Sequence, residues 1–122
     1  MSNSFVHVEL ATTSLPRAKK FYAKLFAWKL KDMPDPEAGG LYTMIDVGEG
    51  TGGGMLKQMM PGAGSGWMPY VHVKDIDAAT KKAEKLGAKI CKGVTEIKGM
   101  GWLSIIVDPT GAVFGLWEPA KE

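Results

Sequence analysis

The chain has one cysteine in 122 residues, Cys91, which excludes an internal disulfide and a cysteine-rich zinc site. No apolar run approaches the roughly 20 residues that span a bilayer. The N-terminal residues lack the basic and apolar segments of a secretory signal. A net charge of only +2 is too small to indicate nucleic acid or a membrane as a partner. We therefore expect a soluble, cytoplasmic protein.

Glycine and hydrophobic residues, by contrast, are abundant. The 16 glycines and 7 prolines indicate many turns and hence many short strands. A hydrophobic fraction of 45% allows a normal core to form. A chain of 122 residues fits one compact domain.

The first half predicts one helix and four strands. Apolar residues alternate with His7 and Glu9 over residues 5–10, which predicts a strand with two different faces. Ser14 is placed to cap a helix over residues 15–26, whose apolar residues recur at helical spacing. The other strands are predicted over residues 28–33, 42–47 and 53–58, with loops over residues 34–40 and 61–66.

The second half repeats this order of elements. A strand over residues 70–74 precedes a helix that Asp75 or Asp77 caps and Gly87 ends. Three further strands are predicted over residues 88–92, 102–107 and 113–118. Val6-His7-Val8 matches Val71-His72-Val73 at an offset of 65 residues. The closing hairpins align at an offset of 61 residues, with Gly54 on Gly115, Met55 on Leu116 and Lys57 on Glu118.

This repeat predicts an α+β fold made of two βαβββ modules within a single domain, residues 1–60 and 67–122. The modules are expected to form a curved, incomplete mixed β-barrel with the helices outside and a concave cleft inside. The valines of each first strand should pack under a helix, which turns His7 and His72 toward the cleft. Glu118 is expected to share the cleft face with Phe114 and Leu116, so that it can meet both histidines.

Several motifs together resemble short glyoxalase-like proteins of the vicinal oxygen chelate superfamily, the glyoxalase, bleomycin-resistance and extradiol-dioxygenase fold. They cover nearly the whole chain: Val6–Leu10, Ala18–Trp28, Gly52–Met55, Val73–Ala79 and Asp108–Pro119. The resemblance implies metal ligands on the first and last strand of each module. Carried over to this chain, those positions are His7, Lys57, His72 and Glu118.

Three of these four residues can bind a metal. Two imidazoles and one carboxylate have the composition of a facial triad, which favours Fe(II), although Zn(II), Ni(II) or Mn(II) would also be accepted. Such a divalent metal would polarise adjacent oxygens of a substrate and stabilise an enolate. Without a metal, His7 and His72 are strand histidines bonded to the backbone or to Glu118. Glu9, on the same face as His7, is expected to be exposed or to orient His7.

Lys57 departs from the family pattern. A +1/+2 pair at about 5 Å costs roughly 6–7 kcal/mol at an effective dielectric near 20. Lys57 therefore turns away, loses its proton, or prevents metal binding. A fourth arrangement is an ion pair with Glu118. The resemblance implies a proton-transferring carboxylate at this position, so lactoylglutathione lyase activity is not expected. Lys57 and Glu118 are the catalytic candidates.

Two functions follow from the resemblance. The first is a metal-dependent lyase, isomerase or dioxygenase acting on a small molecule with vicinal oxygens. The alternative is a metal-free protein of the bleomycin-resistance type that binds a drug or metabolite. A homodimer is expected in either case. The residues expected to line the substrate pocket, or else to pack in the core, are Met55, Tyr70, Trp102, Phe114 and Leu116.

Overall fold

The computed structural model describes residues 3–34 and 40–121. Two helices and eight strands follow one another as two βαβββ series, which confirms the predicted α+β class. The elements are β1 (Phe5–Thr12), α1 (Leu15–Leu25), β2 (Lys29–Pro34), β3 (Leu41–Asp46), β4 (Gly53–Lys57), β5 (Gly66–His72), α2 (Ile76–Lys85), β6 (Lys89–Ile97), β7 (Gly101–Val107) and β8 (Val113–Pro119). The loop predicted over residues 34–40 lies mostly outside the described residues.

Contacts divide the chain into two compact units. The N-terminal unit comprises residues 7–68, and the C-terminal unit comprises residues 69–121 together with residues 3–6. In the N-terminal unit the strand order is β2-β3-β4-β1, with β1 parallel to β4 and the other pairs antiparallel. In the C-terminal unit the order is β5-β8-β7-β6, with β5 parallel to β8. The two units therefore have the same topology.

In the N-terminal unit, α1 covers one face of the sheet. The Ser14 hydroxyl accepts a hydrogen bond from the Arg17 amide at 3.4 Å and caps the helix, as its position in the sequence predicts. Beneath α1 lies a core of Leu10, Ile45 and Met55, against which α1 packs its apolar side. This face of the sheet is therefore the covered one.

In the C-terminal unit, α2 covers one face of the sheet. Of the two predicted caps, Asp75 is the one used, because its carboxylate accepts from the Ala78 amide at 3.0 Å. Gly87 follows the helix with a φ of 106°, which a residue with a Cβ adopts only with strain. A core of Val73, Ile76 and Leu116 lies beneath α2.

Some boundaries differ from the prediction. β5 begins at Gly66, which is the last residue of the loop predicted over residues 61–66. β6 extends to Ile97, because two register shifts against β7 allow its polar second half to stay paired. Cys91, which lies in a short apolar stretch, is exposed. Among the described helices, none is long and apolar enough to cross a membrane.

Candidate functional site: an imidazole, a phenol and a carboxylate on one sheet face

Strand register decides which side chains of the N-terminal unit lie together. Residues paired across neighbouring strands point to the same face, and successive residues point to opposite faces. Leu10 pairs with Met55 on the face that α1 covers. Glu9 pairs with Gly54 on the other face, which His7 shares. The prediction that His7 points away from the helix is therefore confirmed.

On this helix-free face, His7, Tyr42 and Glu9 form a hydrogen-bonded chain. The Tyr42 hydroxyl donates to Glu9 Oε1 at 3.0 Å. His7 Nε2 lies 2.6 Å from the Tyr42 oxygen. Because the hydroxyl has one hydrogen and gives it to Glu9, its oxygen accepts the Nε2 hydrogen of His7. The two rings are nearly parallel, with an interplanar angle of 19°.

Gly54 makes room for the phenol ring. A Cβ built on Gly54 would collide with the Tyr42 ring and its hydroxyl. Gly54 is paired with both Glu9 and Met44, so it lies between the strand that bears His7 and the strand that bears Tyr42. Without a side chain there, the ring reaches across β4 to β1. The absence of a side chain at Gly54 therefore allows the hydrogen-bonded chain to form.

Burial sets the charge state of the imidazole. Desolvation lowers the pKa of His7 below its usual range, because a buried cation loses its hydration. His7 is half-buried. A neutral imidazole has one nitrogen that accepts a proton and one that donates, so it can act as a base at pH 7.

The C-terminal unit places its predicted residues differently. His72 pairs with Trp117, whereas Val71 pairs with Leu116. Leu116 belongs to the core beneath α2, so His72 lies on the helix-free face, as predicted. Glu118 does share a face with Leu116, as expected, but α2 covers this face. Glu118 and His72 therefore point to opposite faces of their sheet.

The contacts of Glu118 explain its direction. Its Oε1 accepts a hydrogen bond from the Ile76 amide, the first residue of α2, at 2.8 Å. The first amides of a helix have no partner within the helix and carry partial positive charge, so they bind a carboxylate well. Glu118 thus caps the N-terminus of α2 from β8, a strand that is distant from the helix in sequence.

Lys57, the residue that the repeat aligns with Glu118, also lies on the helix side of its sheet. It pairs with Thr12, two residues beyond the Leu10–Met55 pair, on the face of the sheet opposite His7. Its side chain is exposed. The residue is therefore turned away from the histidine of its own module.

In the C-terminal unit these directions separate two of the expected metal ligands, His72 and Glu118. On the face of His72, β8 contributes Gly115 and Trp117, neither of which is a metal ligand. Within the described residues, no group of three or more His, Cys, Asp or Glu side chains could hold a metal ion. Within the C-terminal unit, His72 and Glu118 therefore do not contribute to one donor set.

The residues predicted to line a pocket divide between core and surface. Met55 is completely buried and Leu116 is 8% exposed, both beneath helices, so the core interpretation applies to them. Trp102 and Phe114 pack beside the same α2 core and are half-buried. Tyr70 is 3% exposed on the helix-free face, where Gly115 makes room for its ring.

A second feature of the N-terminal unit is an apolar cleft of about 260 Å³ on the helix side of the sheet. Val8, Ile45 and two tryptophans, Trp28 and Trp67, line it. The two indole rings meet edge to face, with centroids 6.3 Å apart. The Trp67 indole N–H donates to the Tyr22 hydroxyl at 3.3 Å. This cleft presents aromatic surface to a ligand.

Sequence reasoning missed Tyr42. Its role depends on β4 lying between β3 and β1, which no local pattern in the chain specifies. One signal was available: Gly54 and Gly115 occupy the same position in both modules. A glycine at the same register of two half-buried strands indicates that another group approaches closely at that point.

Comparisons with known proteins agree with this fold. A hypothetical protein, BH1468 of Bacillus halodurans, superposes with a TM-score of 0.75 at 20% identity, covering 100% of this chain and 98% of that one. Methylmalonyl-CoA epimerase of Mycobacterium tuberculosis superposes with a TM-score of 0.73 at 18% identity, covering 96% of this chain and 88% of that one. At these identities the likeness shows the fold alone.

Two curated relatives are similar in sequence. CFP32 of Mycobacterium tuberculosis, whose name marks it provisionally as a glyoxylase, is 39% identical in an alignment of 115 residues that covers 91% of this chain. The anthracycline biosynthesis protein DnrV of Streptomyces peucetius is 27% identical in an alignment of 125 residues, gaps included, that covers 89% of this chain. The chain spans only 44% of the length of each relative. The profile of one superfamily matches residues 4–116, and the chain belongs to it: the Glyoxalase/Bleomycin resistance protein/Dioxygenase superfamily.

Proposed function

We propose that this chain is an enzyme of its superfamily that moves a proton at a carbon adjacent to oxygen in a small molecule. The observation that carries the proposal is the chain of hydrogen bonds from His7 through Tyr42 to Glu9, at 2.6 and 3.0 Å. These three groups lie on a sheet face that no helix of their unit covers. They are the residue types that general acid–base catalysis uses.

The hydrogen-bonded chain supports a balanced proton transfer. When the neutral imidazole of His7 takes a proton from the substrate carbon, its Nε2 proton moves to the Tyr42 oxygen. The Tyr42 proton moves at the same time to Glu9, which becomes a neutral carboxylic acid. Reversal of these steps returns a proton to the same face of the substrate, either at the same carbon, which exchanges its hydrogen, or at a neighbouring atom. Hydrogen exchange and isomerisation are the reactions that a single base of this kind performs.

The substrate class follows from the need for an acidic carbon. A C–H bond next to a carbonyl loses its proton far more readily than an isolated one, because the product is an enolate. A hydroxyketone or the conjugate of a 2-oxoaldehyde with a thiol supplies such a bond beside vicinal oxygens. No step of the proposed reaction passes through a metal, since Glu118 and Lys57 point away from the histidines of their own units.

Deuterium exchange in D2O, followed by proton NMR, tests the proposal. Hydroxyacetone and the hemithioacetal of methylglyoxal with a thiol are the probes. We expect the chain to catalyse exchange of the acidic C–H, and Tyr42→Phe to lower the rate about 100-fold, because it removes the bridging hydroxyl and keeps the ring. Tyr22→Phe is the matched control, since its hydroxyl lies on the helix side.

Two outcomes would reject this assignment. One is an exchange rate that Tyr42→Phe leaves unchanged. The other is a rate that EDTA abolishes and Fe(II), Zn(II), Ni(II) or Mn(II) restores, with no dependence on the Tyr42 hydroxyl. The second result would return the function to the metal-dependent chemistry that the sequence predicts.

The cleft of Trp28 and Trp67 favours a second candidate function, binding of a flat aromatic molecule without a metal. Its lining is largely apolar, and indole faces stack on planar rings. One relative is named for anthracycline biosynthesis, and anthracyclines contain fused planar rings. Saturable quenching of tryptophan fluorescence by an anthracycline, unchanged by EDTA and lost in Trp28→Leu, is the expected result. Quenching that Trp28→Leu leaves intact would contradict it.

We also infer that the chain forms homodimers. Both curated relatives are more than twice as long as the matched segment, since it covers 44% of each. A second copy of this chain would supply a comparable length. Sedimentation velocity at micromolar concentration should show a dimer, and a single monomeric species would refute this inference.

A further inference from the structure

The C-terminal unit has an open groove that shares two repeat-related positions with the tryptophan cleft of the N-terminal unit. The groove is lined by Val73 and Phe114, which the repeat aligns with Val8 and Gly53 of the cleft. The groove has a volume of about 560 Å³, against about 260 Å³ for the cleft. The two features are therefore repeat-related but differ in size.

The floor of the groove is apolar and partly uncovered. Val71 and Phe114 supply it from the sheet, and Ala83 and Leu86 supply it from α2 and the residue after it. The side chain of Leu86 is 70% exposed, although it is apolar and borders the groove. Surface of this kind indicates a binding site when polar groups surround it.

The rim of the groove carries an excess of positive charge. Lys74 and Lys82 both line it, and Asp75 is the one acidic residue among its lining residues. The Asp75 carboxylate already accepts the Ala78 amide hydrogen as the helix cap, so its charge is partly balanced. Two ammonium groups beside an apolar floor match a molecule that has an anionic head and an apolar tail.

We propose that this groove binds small amphipathic carboxylates, namely fatty acids of medium chain length. The tail lies along Val71, Phe114 and Leu86, and the carboxylate meets the ammonium groups of Lys74 and Lys82. Its lining residues belong to the C-terminal unit, whereas the proton-transfer residues belong to the N-terminal unit. It adds a binding function that does not depend on the proposed reaction.

Isothermal titration calorimetry with the full chain tests the proposal, with hexanoate, octanoate and decanoate as probes. We expect saturable binding that tightens up to about fourfold with each added methylene, as burial of apolar surface requires. Octylamine, which has the same tail and the opposite charge, should bind much more weakly than octanoate. Amide shifts in NMR spectra should change at Val73, Ala83 and Phe114.

Variants assign the binding to this groove. Lys82→Glu should weaken octanoate binding about fivefold by reversing a rim charge. Leu86→Gln, at a position that is 70% exposed, should weaken it by removing apolar contact. Lys81→Glu is the matched control, because Lys81 is exposed on the same helix and does not line the groove. Tyr42→Phe should bind octanoate as the parent does, whatever its effect on proton exchange.

Four results would overturn the proposal. The first is the absence of saturable octanoate binding below its micelle concentration. The second is equal binding of octylamine and octanoate. The third is an equal effect of Lys81→Glu and Lys82→Glu. The fourth is a dimer in sedimentation that Leu86→Gln dissociates, because the groove would then be an interface between copies of this chain.

Discussion

Glu118→Ala separates a structural role of this carboxylate from a metal-binding one. In the structure Glu118 accepts the Ile76 amide hydrogen at 2.8 Å, and Asp75 accepts the Ala78 amide hydrogen at 3.0 Å. Two carboxylates thus satisfy two of the free amides that begin α2. Removing Glu118 leaves the backbone amide of Ile76 without this acceptor, at a residue whose side chain belongs to the core beneath α2.

The size of the effect follows from the kind of bond. A hydrogen bond to a charged group contributes about 1.5–3 kcal/mol, and a carboxylate at a helix N-terminus adds about 0.3–1 kcal/mol at an exposed site. Water can replace part of the bond because Glu118 is only half-buried. We therefore expect Glu118→Ala to lower the free energy of unfolding by about 2 kcal/mol. For a domain of this size that lowers the Tm by roughly 8 °C.

Urea and thermal unfolding followed by circular dichroism measure the change. Glu118→Gln keeps an acceptor oxygen and loses the charge, so it should lose about half as much stability as Glu118→Ala. Glu96→Ala is the control, because Glu96 is an exposed residue of β6. A loss below about 0.5 kcal/mol in Glu118→Ala, the range of ordinary surface substitutions, would refute the capping role. A fall in bound metal at unchanged stability would favour the metal ligand instead.

Two further predictions concern the N-terminal unit. Met55→Ala should lower the free energy of unfolding by about 2–5 kcal/mol in urea titrations, because Met55 is completely buried, whereas exposed Met59→Ala should change it little. Burial lowers the pKa of His7, so near pH 6 the unfolded chain binds more protons than the folded protein. Stability is therefore full above pH about 6.5 and falls as the pH drops toward the folded pKa. His7→Gln should flatten this dependence, and an unchanged slope would contradict it.

The repeat in the sequence was enough to predict the order of the elements and the direction of the histidines. Val-His-Val alternation in a half-buried strand leaves one arrangement, with the valines under the helix and the imidazole on the other face. Alternation also predicts correctly that Glu118 shares a face with Leu116. Alternation does not say which face α2 covers. Phe114 and Leu116 on one face of β8 and Trp117 on the other are all apolar, so neither face is marked as the exposed one.

The hydrogen-bonded chain of His7, Tyr42 and Glu9 could not be predicted from any segment of the sequence. It requires the strand order β3-β4-β1 and the register that pairs Gly54 with both Glu9 and Met44. Both depend on long-range pairing. His7 and Glu9 were recognised because they lie two residues apart on one strand, whereas Tyr42 lies 35 residues from His7.

The two modules place a tyrosine ring at the same register position but surround it with different polar groups. Gly54 and Gly115 are repeat-related, and each makes room for a tyrosine ring. Tyr42 comes from β3 and connects His7 to Glu9, whereas Tyr70 comes from β5 and is 3% exposed. A duplicated scaffold needs the glycine in both copies, because either ring would otherwise collide with the strand. The polar groups around the rings are not constrained in this way, so they differ between the two modules.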